Sequence, residues 1–248
     1  MSVPLRFVAT TYNLWASNRW PEREQPLRAF VRAMRPDILC LQELRAETRA
    51  LLDEELPAHR RVDDPFEGWL REGNIYWSTA LFEWVEHGAE PIGMLEAARR
   101  LFWARLRVKG GDRTLLVSTA HYTWQGNKRE REEGFSPRLE QATRTLEALG
   151  RLAPEGEPVL FMGDLNDAIN PIRRLREGGL RDSFTCSGLY PLPTHPARPT
   201  AAGSPQVLDW QFHRGPLRVL NTAVVDFYSG DLAPSDHKPV TVTYGWDD

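Results

Sequence analysis

Carboxylates, carboxamides and imidazoles recur in this chain at one kind of place, the end of an apolar run. Asn13 sits in Thr11-Tyr12-Asn13-Leu14-Trp15, and Glu43 closes Leu41-Gln42-Glu43. His121 follows Leu116-Val117-Ser118-Thr119-Ala120, and Asp164 and Asn166 follow Leu160-Phe161-Met162-Gly163. Asp209 interrupts Val207-Leu208-Asp209-Trp210, and Asp236-His237 precedes a last apolar run. Side chains of these types hold hard cations through oxygen and move protons through imidazole and carboxylate. Strand ends along one sheet edge are where loops assemble sites, because the scaffold fixes geometry while the tips stay open.

Each fragment also has an ordinary structural reading. An Asn after a strand is commonly a turn residue. Glu43 suits the first turn of a helix, beside the positive end of its dipole. Gly163-Asp164-Leu165-Asn166-Asp167 suits a tight turn, although Asp164 and Asn166, two apart in an extended segment, point the same way. Asp236-His237 could simply lead into Lys238-Pro239. Only their joint occurrence favours chemistry.

The elements that must carry these groups are strands and helices mixed throughout, without repeats or low-complexity linkers. The pattern predicts strands over 6–12, 37–41, 75–85, 101–108, 114–120, 159–162, 207–212, 223–227 and 239–244. Leu27, Phe30, Val31 and Met34 predict an amphipathic helix behind Pro26, and Leu44, Thr48, Leu51 and Leu52 a second, ended near Pro57. Ser136-Pro137 opens a helix with Leu139, Ala142, Leu146 and Leu149 on one stripe and Gly150 at its end. Asn170-Pro171 starts a short one, stopped by Gly178-Gly179. Strands outnumber helices and do not alternate with them, so two packed sheets with helices outside would bury these faces well. The stretch 191–205 carries five prolines and reads as an extended surface loop.

Length and charge narrow the partners. A chain of 248 residues, 41% apolar, is long enough for a single α/β domain spanning 1–248. Its net charge of −3 argues against tight, non-specific binding of long nucleic acid, which favours a basic surplus. No apolar run approaches the ~20 residues of a membrane span. Cys40 and Cys186 lie far apart and form no metal cluster. Without an address signal, a cytoplasmic monomer is the expectation.

Taken in order, Tyr12-Asn13-Leu14-Trp15, Leu41-Gln42-Glu43, Ala120-His121, Gly163-Asp164-Leu165-Asn166, Leu208-Asp209-Trp210 and Ser235-Asp236-His237-Lys238-Pro239-Val240 resemble the motif set of the endonuclease/exonuclease/phosphatase superfamily. That group includes DNase-I-like nucleases, inositol-polyphosphate phosphatases and deadenylases. The resemblance runs from residue 6 to 244. It implies an α+β fold, the DNase-I-like four-layer α/β/β/α sandwich, and Mg²⁺-dependent hydrolysis of a phosphate ester, with Mn²⁺ as a possible substitute. Glu43 would hold the metal, with Asn13 and Asp236 completing or flanking its shell. The missing Cys/His cluster disfavours a zinc site of the usual kind. Asp164 would orient and deprotonate the attacking water, and Asn166 would hold the phosphate or the water beside it. His237 would stabilise the transition state, with Asp209 fixing its tautomer, and His121 would donate to a phosphate oxygen. Many relatives carry Arg or Lys shortly before the aspartate matching Asp209, where this chain has Gln206-Val207-Leu208.

Substrate is the open question. Trp15 and Trp124 beside the motifs could stack on a base or shield an apolar leaving group; both could equally be packing. Trp210 shares both readings. Among the cations of 128–138, Arg138 at a helix start is the best candidate for a substrate phosphate. The alternative for that segment is a solvated loop paired internally with Glu130, Glu132 and Glu133. The acidic balance fits a small or short phosphodiester or phosphomonoester. A nuclease or DNA-repair phosphodiesterase is the second reading, which a steep salt dependence would mark. A non-catalytic binding protein on the same fold is the third, which the complete motif set opposes.

Overall fold

The computed structural model describes residues 5–246. Two six-stranded sheets stack face to face. The first comprises β1 (Leu5–Asn13), β2 (Ile38–Gln42), β3 (His59–Arg61), β4 (Gly73–Ser78), β11 (Leu217–Val224) and β12 (Val240–Trp246), in the order β11-β12-β1-β2-β4-β3. The second comprises β5 (Phe82–Glu90), β6 (Leu101–Val108), β7 (Thr114–His121), β8 (Val159–Asp164), β9 (Arg181–Asp182) and β10 (Asp209–Arg214), in the order β5-β6-β7-β8-β10-β9. The helices are α1 (Glu24–Met34), α2 (Ala46–Glu55), α3 (Glu67–Arg71), α4 (Lys128–Glu133), α5 (Arg138–Leu152), α6 (Asn170–Glu177) and α7 (Ser183–Cys186). The arrangement is the α+β sandwich expected from the sequence.

Alternation along the central strands explains the layering. In β1, β2 and β4, Phe7, Ala9, Ile38, Cys40, Ile75 and Trp77 enter the main core, which also holds Leu101, Val117, Leu160 and Met162 of the second sheet. Their neighbours Tyr12, Leu39, Leu41 and Tyr76 face the other way and meet Leu27, Phe30 and Val31 of α1 and Leu51 and Leu52 of α2. A sheet whose two faces are both covered must be apolar on both, as the all-buried run of β2 is. On the far side, Thr145 of α5 hydrogen-bonds Tyr122 across 2.7 Å.

Strand direction places the polar ends together. β1 and β2 run parallel, so Asn13 pairs with Gln42 at their common end. β7 and β8 run parallel, so His121 pairs with Asp164. β10 is antiparallel to β8 and begins where β8 ends, with Asp209 opposite Asp164. β12 is antiparallel to β1, which brings the segment before Val240 to the same edge. Between the sheets, Gln42 Nε2 donates to Thr119 Oγ1 at 2.8 Å, and Gln211 Nε2 donates to Ala9 O and Val240 O at 3.0 and 2.7 Å. These buried bonds fix one sheet against the other.

Several expectations are corrected. The single strand over 75–85 is two, in different sheets, because the chain turns at Thr79-Ala80-Leu81 and crosses the sandwich. The late strand expected at 223–227 is β11, ending at Val224. The charged run from Lys128 forms α4, capped by the Asn127 side chain accepting from the Arg129 N–H. Helix α5 continues through Gly150 to Leu152. The proline-rich stretch is not a detached surface loop. Thr194 and Ala197 are buried, Thr194 Oγ1 accepts from the N–H groups of Leu208 and Asp209, and the Ala197 N–H donates to Asp236 O.

Gly163 is required where β7 and β8 approach. A Cβ there would lie 2.0 Å from the Ala120 carbonyl oxygen, and backbone cannot retreat cheaply. Gly163→Ala is expected to lower the unfolding free energy by about 2–3 kcal/mol in a urea titration. A variant as stable as the parent would contradict this close packing.

Candidate active site

Asp164 is the hub of the strand-end groups. It is buried at the end of β8, and its Oδ2 accepts from Asn13 Nδ2 at 3.0 Å. His121 Nε2 lies 3.3 Å and His237 Nε2 3.7 Å from that oxygen, and Oδ1 accepts from the Asn166 N–H at 3.0 Å. Asn13 Nδ2 also donates to Glu43 Oε1 at 3.2 Å, while its Oδ1 accepts from the Trp15 N–H at 2.9 Å. The Asn13 amide thus presents its nitrogen to both carboxylates and sets the distance between them. Asn166 turns its own amide to donate to Tyr122 O at 2.9 Å. Glu43 and Asn166 have φ near +53° and +50°, conformations that side-chain-bearing residues seldom adopt and that cluster at functional sites.

Charge is arranged unevenly over this cluster. His237 Nδ1 lies 2.7 Å from Asp209 Oδ2, both buried, which leaves Nε2 facing the cleft. Burial alone would push His237 down. The Asp209 and Asp164 carboxylates outweigh it and hold the imidazole well above its ordinary value, so it is charged at neutral pH. His121 is the opposite case, pushed well below the ordinary range by burial, with the Arg99 and His237 charges adding to the effect. Burial raises Asp164 to about 7, assisted by Asp209 and opposed by His237 and the bonds from Asn13 and Asn166. One imidazole is therefore neutral and one charged, around a carboxyl group poised near neutrality.

The cleft above measures about 740 Å³. Trp15 and Trp124 both line it, whereas Trp210 is buried and packs against Phe184 and Phe212. Trp15 and Ala16 also have positive φ, and the buried Arg23 guanidinium holds that turn by donating to the carbonyls of Leu14, Ala16, Asn18 and Pro234. Trp124 is 54% exposed, its ring lying over Gly126, where a Cβ would meet it at 2.0 Å.

The substrate-binding expectation for Arg138 is corrected. Its guanidinium is buried, pairs with both Glu130 oxygens at 2.5 and 2.8 Å, and donates to Thr123 O at 2.7 Å. Folding of 128–133 into α4 brings Glu130 onto it. Arg138 instead supports the turn that carries Trp124. Among the described residues, the arginine that does line the cleft is Arg99, donating to Glu72 Oε2 at 3.1 Å and Tyr122 O at 3.3 Å. His195 is a second titratable lining residue that sequence reasoning missed. Arg99 lies in a motif-free stretch before β6, and His195 in a loop read as surface, so neither carried a signal.

Glu43, Asp164 and Asp236 give the cleft an oxygen-rich donor set, the kind a hard divalent cation takes. Glu43 remains 23% exposed to it. Ser235 and His195 face Asp236. Burial would raise this carboxyl, but His195, His237 and Ser235 together hold it below the ordinary range, so it is available as an anion. Among the described residues, two groups bring three candidate ligand atoms within 4.8 Å of one another: Asp164, Asp209 and His237, and His195, Asp236 and His237.

Comparisons with known proteins agree with this picture. Compared with curated protein sequences, the chain finds no significant match. Among solved structures, an endonuclease/exonuclease/phosphatase family protein from Bacteroides thetaiotaomicron is 18% identical, with a TM-score of 0.80 over 100% of both chains. A mannosyl-6-phosphatase of the same organism is 19% identical, with a TM-score of 0.79 over 96% of this chain and 99% of that one. A humanized D. rerio TDP2 is 19% identical, with a TM-score of 0.77 over 96% of this chain and 98% of that one. These likenesses establish the fold. The sequence profile of the Endonuclease/Exonuclease/phosphatase family matches residues 10–237, nearly the whole chain and every motif that builds the cleft, and the chain belongs to that family.

Proposed function

We propose that this protein is a Mg²⁺-dependent phosphoesterase that hydrolyses a phosphodiester or phosphomonoester by direct attack of water. The observation that carries the reading is the meeting of Asn13, His121 and His237 at one oxygen of Asp164. Mg²⁺, for which Mn²⁺ would substitute, would be held by Glu43, flanked by Asp236 and Asn13, and would supply positive charge to the phosphate. Asp164 Oδ2 takes the proton of the attacking water, a task suited to a carboxyl group titrating near 7. His237 Nε2, charged and fixed by Asp209, donates to a non-bridging oxygen as negative charge grows there. His121 faces the same oxygens in its neutral form, and Asn166 borders the water. Arg99, paired with Glu72, adds a guanidinium to the cleft wall.

A small or short ester fits the cleft best. Against the carboxylates of Glu43, Asp164 and Asp236 the cleft sets the Arg99 guanidinium and the His237 imidazolium, which is not the basic track that a long polyanion needs. The mannosyl-6-phosphatase neighbour acts, by its name, on such a molecule. A nucleic-acid ester is the second reading, favoured by Trp15 and Trp124 at the mouth, where each stacked base gains about 1–3 kcal/mol. A related D. rerio TDP2 structure holds single-strand DNA product. No helix of the described residues is long and apolar enough to cross a membrane.

Assay of sugar phosphates, nucleotides, DNA, RNA and inositol phosphates with Mg²⁺ and Mn²⁺ tests this function. Turnover is expected with one class. Asp164→Asn and His237→Ala should each reduce it by about 10²–10⁴-fold while the circular dichroism spectrum stays unchanged. An active Asp164→Asn protein would remove the base, and absence of turnover with every divalent ion would favour a binding role. Asp209→Asn should lower the His237 pKa in an NMR titration. If the charged imidazole is the active form, the basic limb of the pH–rate profile moves to lower pH with it. An unmoved His237 titration would show that Asp209 does not hold the charge.

A further inference from the structure

Beside Asp236 and His237 the cleft holds His195, a histidine to which the hydrolytic reading gives no role. His195 comes from the proline-rich loop, and Asp236 and His237 from the segment before β12. His195 Nε2 lies 3.6 Å from Asp236 Oδ2, too far for a good hydrogen bond, and the rings of His195 and His237 are 4.8 Å apart. Two ligands of a tetrahedral zinc ion, each ~2.0–2.1 Å from it, stand roughly 3.3 Å apart. The three ligand atoms lie within 4.8 Å of one another, a spacing that a small movement of the side chains would bring to one ion.

The orientation of the ligands agrees. Asp209 occupies His237 Nδ1 at 2.7 Å, the carboxylate–histidine arrangement that directs the other ring nitrogen toward a metal. His195 is tied in place by its loop: its N–H donates to Gln206 O at 3.1 Å, and the neighbouring Thr194 carbonyl accepts from the Lys238 N–H at 2.6 Å. Both His195 and Asp236 are part-exposed and line the cleft, so an ion can enter and keep an open position toward solvent. Two imidazoles with one carboxylate select a borderline transition ion over Mg²⁺, which takes oxygen.

We infer that His195, Asp236 and His237 form a second metal site, specific for Zn²⁺ or a similar transition ion, which differs in ligand type from the oxygen-rich Glu43 site and shares Asp236 with it. An imidazole binds a metal through a deprotonated ring nitrogen, so an ion held there occupies the His237 nitrogen that faces the cleft. On the phosphoesterase reading, an ion held there withdraws His237 and Asp236 from the reaction, so the site is inhibitory.

Isothermal titration with Zn²⁺ in excess Mg²⁺ tests the site, using Cys186→Ser protein so that the exposed thiol does not compete. One ion per chain is expected. His195→Ala in that background should weaken binding about tenfold or more, while His87→Ala, a histidine on β5, should leave it unchanged. No binding to the Cys186→Ser protein, or binding that His195→Ala leaves intact, overturns the site. This readout does not depend on turnover, so failure of the phosphoesterase reading would leave it standing. Where turnover is measured, Zn²⁺ should inhibit the protein and His195→Ala should relieve the inhibition. Inhibition undiminished in His195→Ala would count against the assignment.

Discussion

The hydrogen bond from Asn13 Nδ2 to Asp164 Oδ2 at 3.0 Å joins the two sheets at their functional edge, and the site depends on the registry it reports. Asn13 belongs to the first sheet and Asp164 to the second. A slide of one sheet by even half a residue would separate the carboxylates of Glu43 and Asp164. Two buried amides oppose that slide. Gln42 reaches across to Thr119, and Gln211 reaches back to the Ala9 and Val240 carbonyls. A glutamine buried between sheets is costly unless satisfied, so these bonds penalise any other registry more than they stabilise this one.

The same burial that fixes geometry also sets charge. Asp164, Asp209, His121 and His237 are nearly out of water, where an unpaired charge is expensive. The cluster resolves this by keeping His237 charged against Asp209 and His121 neutral, with Asp164 raised. Opposite shifts in neighbouring groups are how one site holds both a proton donor and a proton acceptor at one pH. Backbone strain at Trp15, Ala16, Glu43 and Asn166 belongs to the same economy of position. The Arg23 guanidinium over-determines the Trp15 turn, and the Asp164 and Tyr122 bonds hold Asn166.

Much of this was legible in the sequence because strand ends leave a local mark. Asn13, Glu43, His121, Asp164, Asp209 and His237 each follow or open an apolar run, and parallel pairing carries such ends to one edge. What was illegible is what depends on long-range partners. Arg138 read as a free cation because its partner Glu130 becomes a neighbour only when α4 forms. Trp15 and Trp124 read alike to Trp210, yet two line the cleft and one is buried. His195 carried no pattern at all; its place at the mouth follows from the Thr194 and Gln206 bonds that pin the loop. The break between β4 and β5 was hidden because both flanks are β-formers and the turn holds neither Gly nor Pro.

The central proposal is that Glu43, flanked by Asp236 and Asn13, holds a divalent ion beside Asp164 at the joint between the sheets. Anomalous diffraction from crystals soaked in Mn²⁺ tests it most directly. The account predicts a peak about 2.2 Å from a Glu43 carboxylate oxygen, inside the cleft and on the side facing Asp164. A peak elsewhere, with the Glu43 carboxylate unliganded, would contradict it.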